Sequence, residues 1–387
     1  MAKQKASKKT SPSPRAQQAL QAAQQGELPL FEGFFSADKN ESRTFEIFDA
    51  LPKYVYAKVR KAKDLTPITK TITLRRRSEM GKAEELQVQV TLSAAVIKGQ
   101  DGTGQAIYPG AREELVERAI RKLAVQQVVD TGLHTIPQSG AQIVRVSFTL
   151  YQLRKELTSQ GHGFKVVELK EALEVLNKAT VNLACSKDRT LHGLSSAVFS
   201  NYAYVYDEED ESGRGSKVSV DYHPLATQAI INLAFYPINY RRVMSMTSPL
   251  ARWLATRLSH RFRQATKTAF FDGASYQISL ETILNESGIA RVSRLRDNVA
   301  TVRQALAQMV KEDVLHAMRP YQEDLTYAST KGRKKVIDVV WQLFPSRQFA
   351  QEIIQGNVEM SQWRNKHQTT KKVLGTSQFQ TGLLRLD

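Results

Sequence analysis

Two stretches of this chain open alike: Phe148-Thr149-Leu150 and Ile278-Ser279-Leu280. In each, a strand-forming residue precedes a hydroxyl side chain suited to cap a helix, and a leucine begins that helix. The surroundings match as well. Ahead of the first, Glu114 to Val128 carries Leu115, Ala119, Leu123 and Val128 near the helical period. After it come a helix stopped at Gly161 and a second helix over roughly Lys165 to Ala179. The alternating runs NYAYVYDEE and KVSVDYH then flank the polar tip DEEDESGRG, as in a hairpin. Ahead of the second stretch, TSPLARWLATRLSHRFRQA has Ser248 as a cap and Pro249 at the first helical position. Its apolar stripe is Leu250, Trp253, Leu254, Leu258 and Phe262. SYQISLETILNESG and VSRLRDNVATVRQALAQMVKED follow, then two strands around STKGRKK. The pattern reads as an internal duplication of helix, strand, helix, helix, hairpin, which is the order of a winged helix. The expected fold is α+β, two tandem winged-helix domains with a disordered basic N-terminal arm.

Charge bounds the partners. The 387 residues carry a formal charge of +17, which points to a polyanion and first of all to nucleic acid. No apolar run approaches membrane-spanning length and no apolar leader follows the first residues, so no membrane partner is expected. Cys185 stands alone, which excludes an internal disulfide and a cysteine-based zinc site. A reduced, cytoplasmic bacterial setting is the expectation. Residues 1–44 read as the arm, whose first 26 residues hold no Asp or Glu; 45–225 as the first domain, with a dimer or partner surface; 226–355 as the DNA-reading domain; and 356–387 as a basic tail. Between Phe45 and Lys98 the runs YVYAKV, TKTITLRRR and LQVQVTLSAAVI alternate like strands. The Gly-rich turn GQDGTGQ lacks the Lys-Ser/Thr of a phosphate-binding loop.

Each copy offers one helix placed to enter a major groove. In the first, Val166, Leu169, Leu173 and Leu176 form the buried stripe, and the other face shows Glu168, Glu171 and Glu174 with only Lys178 against them. Carboxylates are repelled by phosphate, and the hairpin tip Asp207 to Glu211 is acidic too, so this copy reads as structural or protein-binding. The second buries Leu295, Val299, Val302, Leu306 and Met309. It turns outward Ser293, Arg294, Arg296, Asp297, Thr301, Gln304, Gln308 and Lys311, side chains that bond base edges or grip phosphate. Its hairpin tip supplies Lys331, Arg333, Lys334 and Lys335, and Arg241 and Arg242 stand just ahead of its first helix. Apart from Asp297 and Lys311, these residues form the expected DNA-contacting set. The bland alternative is a solvated helix face and a solvated loop.

Chemistry is not expected. The seven histidines are scattered, with His162 in a turn and His223 before Pro224, and none forms a His-x-His metal pair. No Walker, HExxH or GxSxG pattern occurs, and no cofactor or metal is expected.

The segment 148 to 189, FTLYQLRKELTSQGHGFKVVELKEALEVLNKATVNLACSKDR, resembles the first winged helix of plasmid replication initiators of the TrfA type. The segment 218 to 262, with ISLETIL and SRLRDNVATVRQALAQM after it, is similar to their second. The resemblance covers roughly residues 85 to 320. It implies an initiator that binds repeated origin sites (iterons) in double-stranded DNA, opens adjacent AT-rich DNA, with single-stranded DNA as a further ligand, and recruits host helicase and initiator proteins. Dimers in such families often repress. The resemblance also gives meaning to QQGELPLFEGFF (24–35), a compact apolar segment at the end of the arm. These initiators carry a Gln-Leu-Ser/Asp-Leu-Phe peptide that docks on the bacterial sliding clamp. Leu28, Leu30 and Phe31 match it, while Glu27 replaces the Gln and cannot donate the bonds an amide would. Clamp docking and packing onto the chain's own core both remain open for this segment. A similar run, Gln342-Leu343-Phe344, falls within an alternating apolar stretch and reads as a strand. A winged-helix transcriptional regulator and a non-catalytic architectural protein are the rival functions.

Overall fold

Thr149, Ser248 and Ser279 each close the start of a helix. Thr149 Oγ1 accepts from Gln152 N at 3.1 Å while Gln152 Oε1 accepts from Thr149 N at 2.8 Å, a complete capping box. Ser248 Oγ takes the Ala251 amide and Ser279 Oγ the Thr282 amide. The structure, a computed structural model, describes residues 34–374 except 37, 58–65, 78–82, 99–103, 127–131, 139–140, 188–189, 207–209, 211, 263–264, 266, 268–273 and 328–335.

The first unit opens with β1 (Glu41–Phe45), α1 (Glu46–Ala50), β2 (Ile68–Arg77), β3 (Ala83–Leu92), β4 (Ala95–Lys98), β5 (Gly104–Ile107) and α2 (Ala111–Gln126). It continues through β6 (Gly132–Gln138), β7 (Ala141–Phe148), α3 (Leu150–Ser159), α4 (Val166–Lys178), β8 (Thr180–Lys187), β9 (Thr190–Ala197), β10 (Phe199–Val205) and β11 (Lys217–Tyr222). The segments α5 (Pro224–Ile231), β12 (Phe235–Asn239) and α6 (Tyr240–Ser245) close it. The second unit comprises α7 (Pro249–Arg261), β13 (Tyr276–Ser279), α8 (Leu280–Glu286), α9 (Leu295–Lys311), β14 (Tyr321–Tyr327) and β15 (Val336–Leu343), followed by α10 (Arg347–Leu374).

The duplication extends to strand order. In the first unit β7 pairs with β11, which pairs with β10; in the second β13 pairs with β15, which pairs with β14. In both, the strand before the short helix hydrogen-bonds the later strand of an antiparallel pair. The first differs by an insertion: the β8–β9 hairpin leaves after α4 and joins β2–β3 in a separate four-stranded sheet, ordered β2-β3-β8-β9. The molecule is a mixed α/β structure of several small sheets.

Several expectations are corrected. The two apolar cores divide between Met244 and Met246 rather than at 225/226. β12 pairs with β1, Phe45 opposite Phe235, and Phe235 and the following Tyr240 of α6 are buried in the first core, so these residues cannot join the second. The arm ends earlier than residue 44. Phe34 is fully buried, 5.1 Å edge-on from Phe235 and stacked on Phe45, and Arg43 donates to the Phe34 and Phe35 carbonyls. Pro52 to Val55 form no strand, and Tyr56 makes only an isolated bridge to Ile289. The segment from 356 is no loose tail as far as it is described: α10 runs through it. Gly356 sits against Pro237, where a Cβ would fall 2.3 Å from the proline ring. Asn357 donates to the Phe262 and Ala265 carbonyls, and Met360 enters the first core. That one helix therefore packs on both units.

Candidate nucleic-acid interface

α9 is amphipathic in the sense its sequence implies. Val299, Val302, Ala305, Leu306 and Met309 are buried against the second core, and Ser293, Arg294, Arg296, Thr301, Gln304 and Lys311 are exposed. Its entry is fixed by Asn298, whose side chain accepts from Val292 N at 3.0 Å and donates to Val292 O at 2.8 Å. The turn before it is pinned from the other unit. Tyr56 N donates to Gly288 O at 3.0 Å, and Gly288, at φ +80, lies so close to Tyr54 O that a Cβ would stand 2.2 Å from it. Only glycine fits there.

On the outward face Thr301 Oγ1 donates to the Asp297 carbonyl at 2.9 Å, while Arg294, Arg296 and Gln304 are exposed. The Arg296 side chain is 76% exposed and holds Asp297 at 3.4 Å, a loose pairing in solvent. Arg303, absent from the expected set, is also on this face and is anchored by a carboxylate. Its guanidinium forks onto Glu323 of β14 at 2.9 and 2.6 Å, and Glu323 also accepts from Trp341 Nε1 at 2.8 Å. These bonds hold the Glu323 carboxyl below its usual range despite partial burial. The signal for Arg303 was its position seven residues beyond Arg296, two turns along one face.

Two expected contacts are taken up by the fold. Arg242 is buried, and its guanidinium pairs with Glu352 of α10 at 2.5 and 2.8 Å, so it fastens α6 to α10 rather than facing solvent. Gln308 is half-buried; it accepts from Ser248 N at 2.9 Å and donates to Thr247 Oγ1 at 2.8 Å, bracing α9 on the start of α7. Arg241, one residue away on α6, is exposed. Lys331, Arg333, Lys334 and Lys335 lie outside the described residues, in sequence between β14 and β15. Glu27, Leu28, Leu30 and Phe31 lie outside them as well.

On α4 the carboxylates are paired: Glu168 with the Lys165 amide, Glu171 with Arg112 at 2.7 Å and Glu174 with Lys178 at 2.5 Å. Lys170 sits 4.2 Å over the Tyr206 ring. Each of these carboxylates thus has a partner: a backbone amide, Arg112 of α2 or Lys178 of the same helix.

Buried ion pairs orient the two units. Glu114 of α2 accepts from Arg118 at 3.0 Å and from Arg252 of α7 at 2.7 Å. Thr44 and His260 meet at 2.9 Å, and Lys70 of β2 donates to the Leu284 carbonyl of α8 at 3.2 Å.

No family model and no curated protein matches the chain. Among solved structures, that of RctB domains 2-3 (RctB-155-483) is similar over 80% of this chain and 99% of that one, at 10% identity and a TM-score of 0.39. A selenomethionine structure of domain 2 and domain 3 of RctB aligns over 82% and 98%, at 12% identity and a TM-score of 0.40. The functional reading rests on the geometry above. No described helix is long and apolar enough to cross a membrane.

Proposed function

We propose that the chain is a non-catalytic protein that binds double-stranded DNA through α9, each unit being a winged helix. The observation that carries this is the bare outer face of α9, where Arg294, Arg296, Thr301 and Gln304 are exposed above a fully buried apolar stripe. A helix so presented can enter a major groove, with Arg and Gln on base edges and Arg303 on the flanking backbone. The resemblance of residues 148–189 and 218–262 to TrfA-type initiators supports a finer reading. The DNA is then a set of origin iterons, the bound protein favours opening of neighbouring AT-rich DNA, and host proteins, including the sliding clamp, are recruited from the arm. The charge of +17 and the Lys331 to Lys335 loop support backbone gripping.

A nuclease footprint on DNA flanking the gene, at near-physiological salt, tests this. Regular protection over direct repeats beside distorted AT-rich DNA is the expected result. One protected inverted repeat at a promoter would turn the reading into a transcriptional regulator. Binding that is equal everywhere and lost with salt would turn it into an architectural protein. In the initiator case, replacing Lys334 and Lys335 weakens all sequences alike and lowers the salt slope by about one per lost phosphate contact.

A further inference from the structure

The four-stranded sheet β2-β3-β8-β9 belongs to the first unit, yet its edge strand β2 packs against α8 of the second. Pairing registers and alternation sort its side chains. Ile72, Val88, Val90, Leu92, Val181 and Leu183 are buried on one face. The other bears Thr69 opposite Thr91, Thr71 opposite Gln89 and Thr73 opposite Gln87, with Asn182 beyond Thr91. Thr69, Thr71, Gln87 and Gln89 are exposed. The Thr69 and Thr91 hydroxyls meet at 3.1 Å, and Gln87 donates to Thr73 at 3.0 Å. This stretch of the face carries hydroxyls and amides, which lose water at lower cost than charges and bond phosphate and sugar oxygens.

Basic residues stand at both ends of β2. β2 ends in Arg75, Arg76 and Arg77, with Glu84 and Glu85 as the opposing acids of β3. At the other end Lys70 alternates onto the opposite face, opposite Val90, and reaches past the β2 edge to the Leu284 carbonyl, keeping two N–H donors beyond that bond. Burial and the nearby Arg291 guanidinium both push the Lys70 ammonium below its usual range, so an anion would relieve the pair. Arg291 itself pairs with Glu281 at 2.6 Å in solvent, and it stands four residues before α9. The Lys70 end of β2 therefore borders the approach to the reading helix.

We propose that β2 is an accessory DNA edge: Lys70 and Arg291 take a backbone phosphate beside the start of α9, and the Thr69, Thr71 and Gln89 face carries the same duplex along the first unit. This rests on the DNA reading of α9. The partner is duplex flanking the site that α9 reads, and the contacts are to the backbone, without sequence preference.

The test uses the full chain with the footprinted duplex and with versions extended on each side, followed by hydroxyl-radical protection and salt dependence. Lys70→Gln lowers the salt slope by about one and removes protection on one flank, and Lys70→Arg restores both. Because Lys70 braces α8, a second variant avoids that contact. Thr71→Glu with Gln89→Glu, both at exposed positions, weakens the extended duplex by about tenfold and leaves the short duplex unaffected. Protection and slope equal to wild type in both variants, while Arg296→Ala still alters base preference, would overturn the proposal and leave the reading helix standing. A wild-type chain that protects no duplex would remove both.

Discussion

Arg252 of α7 and Glu114 of α2 are paired across the join between the two units, Nη2 to Oε2 at 2.7 Å, with both side chains withdrawn from water. Arg252 also donates to the Met246 carbonyl at 2.7 Å, and Arg118 donates to the same carboxylate. Each charge is thus satisfied at a place where an unpaired one would be costly. α7 underlies α9, so this pairing helps to set how the first unit sits relative to the reading helix.

Breaking the pair by Arg252→Met leaves Glu114 buried without this guanidinium and costs about 3 to 5 kcal/mol, read as a fall in the urea midpoint. Acid tests the same contact. Burial alone would raise the Glu114 pKa, but Arg252 first and then Arg118 outweigh it and hold the carboxyl at about 2, against 4.5 for an unperturbed glutamate. Because the folded value is the lower one, the contribution, about 3 kcal/mol, is present above pH 4.5 and lost as pH falls toward 2. Glu114→Gln flattens the pH dependence across that window. Parallel curves for wild type and variant would show that the pair does not supply it.

Replacing Arg296 or Gln304 costs about 1 to 3 kcal/mol in binding and relaxes base preference at one position. Selection of binding sites from a randomised duplex pool measures this. An unchanged preferred site would remove α9 from base reading.

Arg303 separates two roles. Its bridge to Glu323 lies largely in solvent, so Arg303→Ala changes folding stability by only about 0 to 1 kcal/mol. The same variant weakens binding to every duplex and lowers the salt slope by about one. A loss confined to one base position would mean that Arg303 reads sequence.

The apolar segment at the end of the arm divides into two parts with different expected outcomes. Phe34→Ala empties a fully buried site between Phe45 and Phe235 and costs about 3 to 5 kcal/mol in thermal or urea unfolding. Leu30→Ala with Phe31→Ala leaves unfolding unchanged and abolishes retention on immobilised sliding clamp. Retention equal to wild type would leave the clamp without a role for this peptide.

The duplication was legible because its signals are local. Thr149, Ser248 and Ser279 cap the helices they precede, since a hydroxyl bonds an amide three residues on whatever the rest of the chain does. The apolar stripe of α9 was legible for the same reason, since Val299, Val302, Leu306 and Met309 recur at the helical period and all are buried. The connectivity of β7 to β11 and β13 to β15 follows from the order of elements, and the sequence carried that order twice.

What lay beyond the sequence depends on partners far along the chain. Arg241 and Arg242 look alike in a row, yet Arg242 meets Glu352, 110 residues away, and Arg241 does not. Gln308 looks like a base reader until Ser248 and Thr247 are brought beside it. Gly356 and Asn357 weaken the helical pattern of the C-terminal segment; the helix is kept because Pro237 needs the missing Cβ and two carbonyls need the amide. The sequence by itself determined α2, α3, α4, α7, α8 and α9, because their periodicity and caps are set within a few residues. Only the tertiary structure decided which exposed-looking charges remain exposed, because a long-range ion pair withdraws a side chain from any other partner.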